Sequence, residues 1–318
     1  MAQKEGFRMY FSQDELAAIK QIESLRTSDL VEKIKRISLA AWNGQLEILT
    51  LQSWLSNFRG EYLNNLVAEQ NLALWLVQHF VFYTDKDIRS LSVNLWWKYI
   101  HFLLDRFERN GFMKENSIDE KRNYILKKTV IQPLGNCAGS GTNVCYFFRQ
   151  ANGLDKSMFD MGKEKEYEFL VLADDATISG FQTAENLGAY KTIDKEKFVL
   201  TFISTQKARS HISDSAHIIS SIELDEKSQC FSNSSYVFSR HQNWANIAKK
   251  MCQYYGKKID PHNPIGFRRG GYLFGFYYNI PNNTLPIFWG TLGGWTPLFN
   301  RYFSEHEEIE GEKNEAFV

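Results

Sequence analysis

Phe169-Leu170-Val171-Leu172-Ala173-Asp174-Asp175-Ala176-Thr177-Ile178-Ser179-Gly180-Phe181-Gln182-Thr183 is the most informative stretch of the 318-residue chain. Its opening apolar run is unbroken, the pattern of a strand buried on both faces of a parallel sheet; a strand is expected over residues 168–173. In an open α/β sheet, ligands sit beyond the carboxyl ends of the strands. Residues 176–182 fall there. Their N–H groups and hydroxyls can converge on a phosphate, and the helix expected over 182–190 adds a favourable dipole. Gly180 permits close backbone approach. Asp174 and Asp175 would repel a phosphate, so sugar hydroxyls and a divalent cation are their natural partners. Another phosphate or metal site, or a purely structural loop, satisfies the same pattern.

Outward from this segment, further strands are expected over 129–134, 197–204 and 217–224, alternating with helices near 143–150 and 182–190. That alternation makes the fold class α/β with a parallel sheet. The first 128 residues contain no proline and little glycine, and read as an all-α domain with helices near 46–58, 62–83, 86–109 and 118–128. Capping boxes are expected at Asp29 with Glu32 and at Ser117 with Glu120. The expected division is 1–128 helical, 129–305 containing the sheet with a C-terminal hood from about 260, and 306–318 an acidic tail. A second loop, Gly135-Asn136-Cys137-Ala138-Gly139-Ser140-Gly141-Thr142, also joins a strand to a helix.

Lys+Arg and Asp+Glu both number 37, so no global field favours nucleic acid. A zero net charge permits self-association. None of Cys137, Cys145, Cys230 and Cys252 forms a C-x-x-C pair, which argues against structural zinc. The N-terminus lacks a signal peptide's apolar run, and no stretch reaches the ~20 apolar residues of a membrane span. The expectation is a cytoplasmic protein with no membrane contact. Haloacid dehalogenase-like phosphatases need Asp-x-Asp, but Ala176 stands two after Asp174. Receiver domains need a further aspartate ending a later strand, and 197–204 ends without one.

Residues 169–183 resemble the phosphoribosyl pyrophosphate (PRPP) motif of type I phosphoribosyltransferases: apolar residues, an acidic pair, variable residues, then Ser/Thr-Gly and a Thr. The resemblance implies that Asp174 and Asp175 contact ribose hydroxyls and serve with Mg²⁺, and that Ala176, Thr177, Ile178, Ser179, Gly180, Phe181, Gln182 and Thr183 line the 5′-phosphate. Here Phe181-Gln182 places the threonine one residue later than the family pattern. By the same resemblance, Gly139, Ser140, Gly141 and Thr142 hold pyrophosphate. Phe267-Arg268-Arg269-Gly270-Gly271 and Pro281-Asn282-Asn283-Thr284-Leu285-Pro286 resemble a bacterial, PRTase-CE-like branch associated with phage-defence loci. That likeness spans about 129–295 and assigns Arg268, Arg269, Asn282 and Asn283 to an acceptor-covering hood. A turn in which the asparagines bond their own backbone is the alternative. The implied activity is transfer or hydrolysis at ribose C1 by a glycosyltransferase acting in anti-phage defence. The alternative is an inactive PRPP- or nucleotide-sensing module signalling through the helical domain. Residues 1–128 are the expected surface for protein partners, and a nucleic-acid acceptor within a complex stays open.

Overall fold

The computed structural model describes residues 10–135, 139–162 and 166–301. Helices α1 (Gln13–Glu23), α2 (Thr27–Ala41), α3 (Ile48–Leu55) and α4 (Leu66–Gln78) come first. A short strand β1 (Val81–Tyr83) precedes α5 (Asp85–Asn110) and α6 (Ile118–Lys128). Then β2 (Thr129–Pro133), α7 (Ser140–Asn152), β3 (Phe169–Thr177), α8 (Phe181–Gly188), β4 (Glu196–Thr205), α9 (Gln206–Ile212) and β5 (His217–Leu224) alternate. Helix α10 (Gln242–Ile259) and strand β6 (Phe274–Phe276) follow. The protein is therefore mixed α/β.

Strands β2-β3-β4-β5 lie side by side in that order, all parallel. Alternating β3 side chains serve two cores. Leu170 and Leu172 pack with Leu187 of α8 and with Ala208 and Ile212 of α9. On the other face, Phe169 and Phe198 meet α5: the Tyr99 ring lies 5.2 Å from Phe198 and the Phe107 ring 6.3 Å from Phe169. Phe148 of α7 meets Phe202 on that same face. With helices covering both faces, the strands had to be apolar on both sides, as they are.

The chain divides elsewhere than the sequence predicts. One compact unit comprises Met1–Thr84 with Glu226–Arg301, and the other is Asp85–Asp225. The expected boundary at 128 fails because α5 is a wall of the sheet unit: it buries Ile88, Leu95, Tyr99, Leu103 and Phe107. Lys98 Nζ also donates to the Ser220 and Ser221 carbonyls, each at 2.9 Å. The region expected as a hood shares its core with α1–α4 instead. There Trp54 stacks on Phe288 at 5.6 Å, and its indole N–H donates to the Ile287 carbonyl at 2.6 Å.

Two local expectations also change. The capping box at Ser117 forms, but α2 begins at Thr27, so Asp29 lies inside its first turn; a box forms instead at Ser12 with Glu15. The helix expected over 62–83 is confined to α4, and Val81–Tyr83 pairs in parallel with Phe274–Phe276. That pairing partner is distant in sequence, so no local pattern announces it. No helix among the described residues is long and apolar enough to cross a membrane.

Candidate functional site

Strand β3 runs past the expected end at Ala173 and carries the acidic pair within it, with Asp174 opposite Thr201 and Ala176 opposite Ile203 of β4. Successive strand residues point to opposite faces. Accordingly, Asp175 is buried at 4% exposure while Asp174 is only partly buried. The two carboxylates are thus not a symmetrical pair.

Asp174 is where the two expected loops meet. Ser140, the first residue of α7, donates its hydroxyl to Asp174 Oδ1 at 2.8 Å. The Asp175 backbone N–H donates to the same oxygen at 2.9 Å. The second oxygen, Oδ2, takes no hydrogen bond from the described residues. Burial, and then the charge of Asp175, push the Asp174 carboxyl well above the ordinary carboxylate range, against the two hydrogen bonds that favour its charged form. Among the described residues no group of three or more His, Cys, Asp or Glu side chains is arranged to hold a metal ion.

Gly141 makes this meeting possible. A Cβ there would lie 2.5 Å from the Ala173 carbonyl oxygen and 2.9 Å from the Leu134 nitrogen, so α7 starts directly on the end of β2 and on Ala173 within β3. The first-turn N–H groups of a helix have no acceptor within it. In α7 the Thr142 N–H donates to the Gly139 carbonyl at 3.2 Å, and the close approach brings the start of the helix beside Asp174. We predict that Gly141→Ala lowers stability by about 1–3 kcal/mol through overpacking, read as a lower thermal midpoint. Ser140→Ala, which removes one hydrogen bond, should cost about 1 kcal/mol.

The turn after β3 is shorter than expected. Ala176 and Thr177 belong to the strand, and only Ile178, Ser179 and Gly180 lie between it and α8. Gly180 takes φ +79°, and a Cβ there would sit 3.0–3.1 Å from His211 and Ala208, so the position requires glycine. Thr183 lies in the first turn of α8, buried, and its hydroxyl donates to Thr177 Oγ1 at 3.2 Å. Gln182 and Phe181 are exposed. The late threonine therefore braces the turn from beneath, and Gln182 is the side chain that reaches outward.

Of the other expected site residues, Gly139 is the N-cap of α7, Thr142 follows in its first turn, and Asn136, Cys137 and Ala138 lie outside the described residues. Arg268, Arg269, Asn282 and Asn283 belong to the other unit. Asn283 does not bond its own backbone, as the turn alternative required. Its amide donates to the Phe267 carbonyl at 3.1 Å, while the Asn282 carbonyl accepts from Phe267 N–H at 2.8 Å. The Pro281–Pro286 segment is thus a clasp on the 266–271 turn. Sequence reasoning also passed over Glu69, a wholly buried carboxylate that accepts from the N–H groups of Gly60, Tyr62 and Leu63, each at 2.7 Å, and from the Tyr255 hydroxyl. A lone Glu in an apolar helix was the signal. A cavity of about 670 Å³, lined by Trp97, Arg122, Lys127 and Asp155 among others, lies by the C-terminal end of α7, whereas Ser140 begins that helix.

A parallel sheet with an acidic pair in its second strand, flanked by two helix N-termini at neighbouring strand ends, defines a phosphoribosyltransferase-like protein. The chain belongs to the PRTase-CE family, whose model matches residues 51–301. The match begins at residue 51, within α3 and well upstream of 129, so the family includes helices α4 to α6 as well as the sheet. The crystal structure of orotate phosphoribosyltransferase from Aeropyrum pernix is similar at 12% identity over 31% of this chain and 61% of that one, with a TM-score of 0.25. The chain thus spans about three fifths of that enzyme's length. No curated protein matches it.

Proposed function

We propose that the Asp85–Asp225 unit binds PRPP, or a nucleotide sharing its ribose 5-phosphate, at the carboxyl ends of β2 and β3, and reacts it at C1. The observation that carries this reading is the Ser140–Asp174 hydrogen bond. It ties the α7 N-terminus to a carboxylate whose second oxygen is left to accept from a ribose hydroxyl. The first-turn N–H groups of α8 suit the 5′-phosphate, and those of α7 suit the pyrophosphate. With PRPP the C1–O bond to pyrophosphate breaks with its electron pair leaving on the pyrophosphate, and with a nucleotide the C1–N bond breaks with its pair leaving on the base; in each case the lone pair of an acceptor, or of water, forms the new bond to C1 and the attacking group gives up its proton to solvent. The chain's own residues bind and orient the ribose for that displacement.

Two carboxylates suit Mg²⁺, which is usually held by one or two carboxylates with phosphate oxygens and waters completing its shell. Asp174 is the better placed of the two, since Asp175 is buried on the opposite face. When bound, the ion would neutralise charge on the leaving pyrophosphate.

One observation favours the non-catalytic alternative. The buried Thr183 hydroxyl donates to Thr177 Oγ1, so its proton is directed away from a 5′-phosphate and the family's last phosphate contact is weakened. Calorimetry of PRPP with Mg²⁺ on the full chain, alongside pyrophosphate release with bases, nucleotides and water as acceptors, separates the readings. Saturable binding with release supports the enzyme, and binding without release supports the sensor. Absence of binding by folded protein overturns both. The defence role implied by the resemblance is tested by phage challenge of cells carrying the parent chain or Asp174→Asn; equal plaque counts would remove it.

A further inference from the structure

The unit formed by Met1–Thr84 and Glu226–Arg301 carries a polar groove that the PRPP reading does not use. Two cavities, of about 510 and 280 Å³, adjoin there, and Lys249, Ile265 and Arg269 line both. The larger is within the usual size of small-molecule sites, about 300–1,000 Å³. Lys249 stands on α10 and Arg269 on the turn clasped by Asn283. Neither cation has a hydrogen bond or ion pair among the described residues. Lys250, next along the helix, is by contrast paired with Glu15 at 2.8 Å. Glu226 is the one carboxylate among the residues lining the two cavities.

The cations are presented at a conformational cost. Arg268 and Arg269 both take left-handed backbone angles, φ 54° and 58°. Side chains disfavour that region because Cβ crowds the carbonyl, and it recurs where surrounding structure over-determines it, often at binding sites. Here the surroundings do so. A Cβ at Gly266 or Gly270 would lie 2.5 or 2.7 Å from the Asn283 carbonyl oxygen, so the turn is pressed onto the clasp from both ends. A plain connection between α10 and β6 needs no such arrangement, and two adjacent arginines are a poor choice for it.

The remaining lining indicates what the groove accepts. Phe267 borders the larger cavity and Phe231 the smaller, both partly exposed. The Ser232 hydroxyl, on the wall of the smaller cavity, is buried without a hydrogen-bond partner among the described residues. Unpaired cations suit phosphate, aromatic faces suit a base, and an unsatisfied hydroxyl suits a sugar or base edge. We propose that this groove is a second ligand site, taking the phosphate of a nucleotide between Lys249 and Arg269 with the base against one of the two phenylalanines.

The test uses the full chain, AMP, a short oligothymidylate and inorganic phosphate, with binding read by calorimetry. Binding of AMP alone identifies a free-nucleotide site, and tighter binding of the oligonucleotide identifies a nucleic-acid strand; either supports the shared chemistry. Lys249→Ala with Arg269→Gly should weaken binding at least about tenfold. For the oligonucleotide it should also flatten the salt dependence by about 0.7 per charge removed. Arg269→Gly alone should raise the melting temperature, because glycine relieves the left-handed strain; a role confined to folding would not give higher stability with weaker binding. Because AMP shares the ribose 5-phosphate of the PRPP reading, the titrations are run with PRPP and Mg²⁺ in excess: AMP binding that survives this excess and is lost in the Lys249→Ala, Arg269→Gly variant belongs to the groove, so failure here is distinguishable from failure of the PRPP reading. Absence of saturable binding by the folded parent, equal affinity in the double variant, or phosphate competing as well as AMP would overturn the proposal.

Discussion

Asp174→Asn is expected to weaken PRPP–Mg²⁺ binding at least about 100-fold, some 2.7 kcal/mol, and to leave the protein more stable at pH 8. Both effects come from one carboxylate. Its open oxygen is the proposed ribose contact, and the amide that replaces the carboxylate carries no charge and has only one acceptor oxygen. The stability effect follows from burial and from Asp175, which hold the folded-state pKa of Asp174 above its unfolded value. A group raised in this way contributes stability fully present below the unfolded pKa, about 3.9 for aspartate. That contribution is lost as pH rises through the raised folded value. Parent stability should therefore decline from about pH 4 upward on account of this residue, while Asp174→Asn shows a shallower decline and a gain of about 1–2 kcal/mol at pH 8. Urea unfolding across pH, beside calorimetry with PRPP, checks both halves. Unchanged PRPP affinity in a folded variant would remove Asp174 from the site. If Asp175→Asn instead abolishes binding while Asp174→Asn does not, the buried member of the pair is the ligand contact.

Glu69→Ala is expected to destabilise the unit of Met1–Thr84 and Glu226–Arg301 by about 3–5 kcal/mol, a loss comparable to removing one partner from a buried charged network. Three backbone N–H groups of the 60–63 turn and the Tyr255 hydroxyl converge on its two oxygens. Without them each buried donor is left unsatisfied, at about 1–3 kcal/mol apiece before relaxation. Glu69→Gln keeps the volume but offers one acceptor oxygen in place of two, so it should recover only part of the loss. Tryptophan fluorescence during urea unfolding is a suitable readout, since this unit holds all the tryptophans except Trp96 and Trp97. A midpoint in Glu69→Ala equal to that of the parent would show that the turn finds other acceptors.

The parallel strands were legible because their signal is local. Leu170-Val171-Leu172 and Phe198-Val199-Leu200 are apolar on both faces, and a strand wrapped by helices must be. The acidic pair and the Ser179-Gly180 turn were legible for a similar reason, since left-handed φ at Gly180 and a strand-to-helix reversal need particular residues at fixed offsets. What the sequence could not show is that Thr183, expected with Gln182 to line the 5′-phosphate, turns its hydroxyl to Thr177. Its burial beneath the turn depends on helix phase, one residue of which separates an inward hydroxyl from an outward amide.

By itself the sequence determined the α/β class, the order of the four strands from 129 to 224 with the helices after the first two, though not α9, and the segment bearing the candidate site. These rest on short-range periodicity and turn chemistry, which a linear chain displays openly. Only the tertiary structure decided that α5 belongs with the sheet, that residues 226–301 share a core with the first four helices, that Ser140 reaches Asp174, and that Lys249 and Arg269 face one groove. Each of these is a contact between residues far apart in sequence, set by which apolar faces find each other and how closely glycines such as Gly141 and Gly266 let backbones approach. The Phe169–Thr183 segment therefore marked the candidate site, and the fold alone decided which of its two carboxylates is the less buried.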